Sequence, residues 1–192
     1  EYMEGDALGR AEWIKFTSLF FGKEKVADSL FAIIEKEYIT TLAKAESVQQ
    51  KPSVMLGTVY GDAWFMPGGD NYAAKLLEDS GNNYLWANDS TTGWLEISFE
   101  SVYDKAKDAD LWIVGSFDTY DELTAADKRY ALFKPFKEKK IYNYNARKGA
   151  KGGNDFLELG YLRPDIILKD LLKIGHPEML PEHQLFFHAP LR

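Results

Sequence analysis

The apolar positions change rhythm once along this chain, near residue 50. Before that point Leu30, Ile33, Ile34, Tyr38 and Leu42 recur at spacings of three and four, with lysines and glutamates between them. That is the pattern of a helix with one buried stripe. An earlier, more apolar part carries Leu8, Ala11, Trp13, Ile14, Phe16, Thr17, Phe20 and Phe21, and Gly22 punctuates the two. The pattern predicts a helix, a brief break around Gly22-Lys23, and a second helix from about Lys23 to Ala45. "SVQQKP" closes the helical section, because Pro52 cannot continue it.

From Ser53 short apolar runs alternate with amphipathic ones. "SVMLGTVY" reads as a buried strand bounded by turn signals. "DNYAAKLLEDSG" follows as a helix capped by Asp70 or Asn71 and stopped at Gly81. "NYLWA" is a second strand, "SFESVYDKAKDA" a helix capped by Ser98, and "DLWIVGSF" a third strand. "TYDELTAADKRYALF" is helical and "KIYNYN" a fourth strand; of Tyr142 and Tyr144, one and not both is expected to face the core. A glycine-rich loop, "ARKGAKGGND", leads to "RPDIILKDLLKIGHP", a helix with Pro164 in its first turn and Gly175 as its stop. Alternating strands and helices define an α/β fold, a mainly parallel sheet flanked by helices and preceded by a long N-terminal helical segment. The expected division is residues 1–50 for the helical segment and 51–192 for the α/β lobe.

In open α/β sheets ligands bind outside the carboxyl ends of the strands. The segments expected there are Gly61 to Gly69, Asn88 to Trp94, Ser116 to Tyr120, and Tyr144 to Leu159. "YGDAWFMPGGDNY" reads as a surface loop, so Tyr60, Trp64 and Met66 are expected on a rim with Trp94, Asp118, Tyr144, Asn145 and Arg147. For any one ring the alternative is that it covers the sheet end. The set suits a large, flat, partly apolar ligand. Arg147 is either a solvated charge or a grip for a ligand carboxylate or phosphate.

Composition narrows the classes. A net charge of −7 over 192 residues argues against nucleic-acid or anionic-membrane surfaces. Without cysteine there is neither disulfide nor thiolate metal site. His176, His183 and His188 lie at spacings of seven and five among prolines, which suits no helical ligand pair, and no metal site or cofactor is expected. "PGGDN" lacks the phosphate-loop pattern, and no nucleophile elbow is present, so no catalytic residue is assigned and an enzyme is not expected. The chain begins at Glu1 without an initiator methionine, as a mature form or an excised piece would.

"LGRAEWIKFTSLFFGKEKVADSLFAIIEKEY" resembles the inter-lobe backbone helix of class III periplasmic substrate-binding proteins of ABC importers. "GTVYGDAWFMPGGDNYAAKLLEDSGNNYLW" and "ISFESVYDKAKDADLWIVG" resemble the opening and middle of their C-terminal lobe. "RPDIILKDLLKIGHPEMLPEH" is similar to the closing helix of the iron-complex branch. The resemblance implies a Rossmann-like C-terminal substrate-binding lobe, with the N-terminal lobe of the same protein missing. It implies an iron complex (ferric siderophore or haem) or cobalamin as transported ligand, a membrane permease as partner, and a periplasmic location with a lipid anchor on an upstream segment. In the family an acidic residue docks the C-terminal lobe on the permease; Glu100 matches that position, Glu96 less well, although a helix N-terminus also favours a carboxylate at Glu100. Two other readings remain: a protein- or glycan-binding module using the aromatic rim, and an α/β enzyme acting on a phosphorylated substrate at Gly68-Gly69.

Overall fold

The computed structural model describes residues 4–115 and 117–192. Helix α1, Ala7–Leu19, opens on Asp6, whose carboxylate accepts the Gly9 N–H at 2.6 Å. Gly22 turns the chain at φ +59, a conformation that costs glycine little. Helix α2, Glu24–Glu46, then runs for about 35 Å at the usual helical rise. Its buried stripe holds Phe31, Ile34, Tyr38 and Ala45, whereas Ile33, counted in the stripe from sequence, faces solvent.

The first expected strand is two. Strand β1, Ser53–Leu56, ends at Gly57, whose φ of +80 swings the chain into β2, Thr58–Tyr60. β2 returns as β3, Ala63–Pro67, so the stretch read as a loop is a hairpin. Helix α3, Tyr72–Asp79, follows, capped by the Asn71 side chain, and then the short β4, Asn83–Tyr84. Strand β5, Trp94–Ile97, pairs antiparallel with β3 and completes a three-stranded sheet, order β2-β3-β5. Ser98 caps α4, Phe99–Ala106, as its position predicts.

Strand β6, Leu111–Val114, is buried along its length. The helix expected over 119–133 breaks. Helix α5, Tyr120–Ala126, ends where Asp127 becomes extended and its carboxylate caps a 3-10 turn at Lys128–Leu132. Asp offers the backbone such a local alternative to helix. After α6, Lys134–Lys137, come β7, Ile141–Asn143, α7, Asp155–Glu158, α8, Pro164–Gly175, and β8, Ala189–Pro190, an edge strand not expected from sequence. In β7 Ile141 and Asn143 are buried, and Tyr142 and Tyr144, two apart and so sharing a face, are both half-buried. That corrects the expectation that only one faces inward.

The main sheet has the order β4-β1-β6-β7-β8. Its first four strands are parallel and β8 runs antiparallel to β7. The fold is therefore α/β with a mainly parallel sheet flanked by helices. The chain order of the strands reverses between β1 and β6, which makes their carboxyl ends the switch point of the sheet. α2 lies along α8, tied by a Lys169–Glu37 ion pair at 2.6 Å.

Candidate functional site

At the switch point β1 delivers the β2–β3 hairpin and β6 delivers the segment containing Asp118. Register sorts the hairpin's side chains. Phe65 faces Thr58 on one side and Glu96 on the other; Tyr60 faces Ala63; Pro67 faces Trp94. Directly opposed residues share a face. Tyr60, Phe65 and Trp94 therefore line one face of the small sheet, and Val59, Trp64, Met66, Leu95 and Ile97 the other.

The inner face is core. Trp64 and Met66 are fully buried, which corrects their expected place on the rim. Trp64 donates its indole N–H to Leu56 O at 2.9 Å, and its ring lies 5.5 Å from Trp112 and 5.6 Å from both Tyr130 and Phe133. Trp112 donates to Gly57 O at 2.9 Å, so two indoles satisfy the carbonyls of the kink between β1 and β2. The outer face is open. Tyr60 is 79% and Trp94 67% exposed, with Tyr60 edge-on to the half-buried Phe65 at 5.9 Å. Phe65, expected on the rim from the same segment as Trp64 and Met66, takes the outer face, because the period-two alternation of "AWFMP" points it opposite to those two neighbours.

A second group of candidate side chains comes from the loops after β6 and β7. Ser116 falls outside the described residues. Tyr144 lies over Gly115, where an added Cβ would strike its hydroxyl, and stacks on Phe156 at 4.5 Å. Burial pushes its hydroxyl pKa up. Asp118 is a junction: one oxygen accepts from Asn143 (3.3 Å) and Asn145 (3.2 Å), the other from Lys148 at 2.6 Å. The Lys148 hydrogen bond holds the Asp118 carboxyl below the usual range, against partial burial. Asn145 also accepts from Asn154 at 2.8 Å. Arg147 pairs with Asp155 at 3.2 Å and lies over the Phe186 ring at 4.4 Å, so it is half-engaged and half-solvated. The structure thus brings Asp118, Tyr144, Asn145 and Arg147 together after β6 and β7, and sets Tyr60 and Trp94 on one face of the small sheet but at its opposite ends, Tyr60 across from Ala63 and Trp94 across from Pro67. Lys148, Asn143 and Phe156 belong to the same edge.

Glu100 sits apart from this edge, in the first turn of α4, its side chain 77% exposed and 3.7 Å from Arg129. Glu96 faces outward beside Phe65. At Gly68-Gly69 the turn is filled by the Thr91, Asp89, Ala87 and Trp86 carbonyls, and Asn71 caps the following helix. Carbonyl oxygens around the turn repel a phosphate. Among the described residues no group of three His, Asp or Glu side chains is arranged to hold a metal. Two of the histidines instead serve Asp170, which is fully buried on α8. Its carboxylate accepts from the Phe186, Phe187 and His188 N–H groups and meets His183 Nε2 at 2.7 Å and His188 Nδ1 at 3.1 Å. Among the described residues no helix is long and apolar enough to cross a membrane.

This geometry sets exposed aromatic rings and a polar loop cluster at the carboxyl edge of an open α/β sheet, where ligands bind in such sheets. No family model matches the chain. It is 29% identical over 191 residues to an uncharacterised lipoprotein of Methanocaldococcus jannaschii, covering 97% of this chain and 44% of that protein. A second uncharacterised lipoprotein of the same organism is 29% identical over 188 residues, covering 93% and 45%. The chain therefore spans about half the length of these relatives. Among solved structures, an ABC transporter solute-binding protein from Sulfurospirillum deleyianum superposes with a TM-score of 0.72 at 17% identity, covering 95% of this chain and 58% of that one. The TroA-like periplasmic binding protein FepB from Veillonella parvula gives 0.69 at 15%, covering 95% and 56%. The periplasmic haem-binding protein RhuT from Roseiflexus gives 0.67 at 18%, covering 88% and 62%. The chain shares the fold of periplasmic binding proteins of ABC transporters.

Proposed function

We propose that this chain is the C-terminal substrate-binding lobe, with the inter-lobe helix, of an ABC importer's binding protein, and that its cargo is an iron complex, haem or a ferric siderophore. It captures and delivers, without chemistry. The observation that carries this reading is the outer face of the β2–β3–β5 sheet, where Tyr60, Phe65 and Trp94 stand on one side at the switch point of a solute-binding fold. Exposed rings on a rigid strand scaffold suit a large flat ligand. Haem appears in the names of two structural neighbours. Residues 1–50 act as the connecting helical segment and 51–192 as the lobe. A preceding lobe would cover the exposed Phe16, Leu19, Phe20 and Phe21 of the α1–α2 hairpin. The relatives named as lipoproteins support an extracytoplasmic, lipid-anchored protein, and Glu100, exposed at a helix start, is the contact for the permease.

Titration of the full-length protein with haem, a ferric trihydroxamate and cobalamin, followed by tryptophan fluorescence, tests the reading. Saturable quenching by an iron complex is expected, and Trp94→Ala should weaken it. Absence of saturable binding to all three sinks the proposal.

A further inference from the structure

The hairpin after β7 carries Arg147, Lys148 and Lys151 and is internally well formed. Lys148 and Asn154 bridge across it, Gly149 N–H donates to Gly153 O at 2.7 Å, and Gly152 turns at φ +84. Its ties to the sheet edge are different in kind. Beyond the Ala146 N–H donating to Phe187 O at the hairpin's root and the Arg147 guanidinium over Phe186, Lys148 reaches Asp118 at 2.6 Å and Asn154 reaches Asn145 at 2.8 Å, both polar and side chain to side chain. The Lys148–Asp118 pair is solvated, with side-chain exposures of 47% and 31%. Exposed pairs of this type are weak and easily exchanged.

Asp118 is not dependent on that lysine. Its other oxygen keeps the Asn143 and Asn145 amides, and its own N–H and carbonyl are bonded to Glu122 and the Arg192 N–H. Lys148 can leave without orphaning a carboxylate. β6 alone separates β1 from β7, so the roots of the aromatic wall and of this hairpin are about 10 Å apart, two strand spacings.

We propose that Lys148 is a displaceable cation that neutralises an anionic group on the rim of the ligand, with Asp118 as its resting partner and not a ligand contact. The inference rests on reading this edge as the cargo site. It defines the cargo further: a flat apolar body that packs on Tyr60, Phe65 and Trp94, with carboxylates or comparable anionic oxygens at its periphery.

The test uses the full-length protein with haem, which bears two carboxylates, and haem dimethyl ester, which bears none. Lys148→Met should weaken haem binding by about tenfold, the scale of one charge-assisted hydrogen bond, and leave the ester unchanged. Asp118→Asn should tighten haem binding, since the lysine is released in advance. It should also speed tryptic cleavage after Arg147, Lys148 and Lys151 in the unliganded protein. Loss of both ligands alike in K148M, or of neither, overturns the role of Lys148. Weaker haem binding in D118N makes Asp118 a ligand contact and overturns the resting pair, as does unchanged proteolysis. A wild-type protein that binds neither porphyrin overturns this inference, and the carrier reading falls with it only when the ferric trihydroxamate and cobalamin fail to bind as well; wild-type haem binding with an unaltered K148M defeats this inference alone.

Discussion

Adjacent side chains on a strand face opposite ways, and Trp64 and Phe65 differ in role for that reason alone. Trp64 is sealed among Trp112, Tyr130 and Phe133. Trp64→Ala should cost about 3–5 kcal/mol in urea unfolding, from lost burial and the cavity left behind. Trp94→Ala, at an exposed site, should change stability by less than about 0.5 kcal/mol. Similar losses for the two would contradict the facing assigned by register. Asp170 gives a second test. Burial opposes its charge, yet the hydrogen bonds from His183, His188 and the backbone hold its carboxyl well below the ordinary 3.8. A folded-state pKa depressed in this way stabilises above the unfolded value and loses that stability as pH falls through the folded one. Unfolding free energy should therefore decline below about pH 4. Asp170→Asn should flatten that decline while lowering stability at neutral pH by about 3 kcal/mol, because a buried charge network loses its acceptor. An unchanged acid limb in the variant would rule Asp170 out as its source.

At the scale of elements, Gly57 decides the most. It occupies positive φ, and a Cβ there would run into the Phe65 carbonyl. Gly57→Ala should cost more than about 1 kcal/mol, combining left-handed strain with a backbone clash; a smaller change in the urea midpoint would show that the kink is tolerant. The same residue explains what was legible in the sequence. Helices with clear start signals, α3, α4 and α8, stood out because Asn71, Ser98 and Pro164 mark their starts locally. The four parallel strands stood out as short apolar runs. The second sheet did not, since a continuous apolar run through Gly57 carries no sign of a change of sheet. Its third strand, β5, is drawn into place only by pairing with β3. The break at Asp127 and the two-residue β8 were hidden for a like reason, being fixed by one side-chain cap and by the position of β7. At the candidate site, Tyr60, Trp94, Asp118, Tyr144, Asn145 and Arg147 fell along the carboxyl edge of the sheet, where topology alone puts them. Trp64 and Met66 did not, because the loop was a hairpin.

For the molecule as a whole, the proposed binding edge and Glu100 lie on different elements, so binding and docking, if both proposals hold, should separate. Glu100→Ala in the full-length protein should leave haem titration unchanged and reduce uptake in cells; normal uptake would remove Glu100 from the permease contact. The two-sided hairpin also bears on how binding is observed. Of the five tryptophans, Trp64 and Trp112 are fully enclosed, whereas Trp94 stands in the candidate wall. The chain thereby carries internal reference fluorophores beside its reporter. Red-edge excitation, which favours hydrated indoles, should weight the signal toward Trp94 and the partly exposed Trp13, which a Trp13→Phe background removes, and the blue-shifted emission of the Trp64–Trp112 pair should monitor whether the fold holds during the same titration.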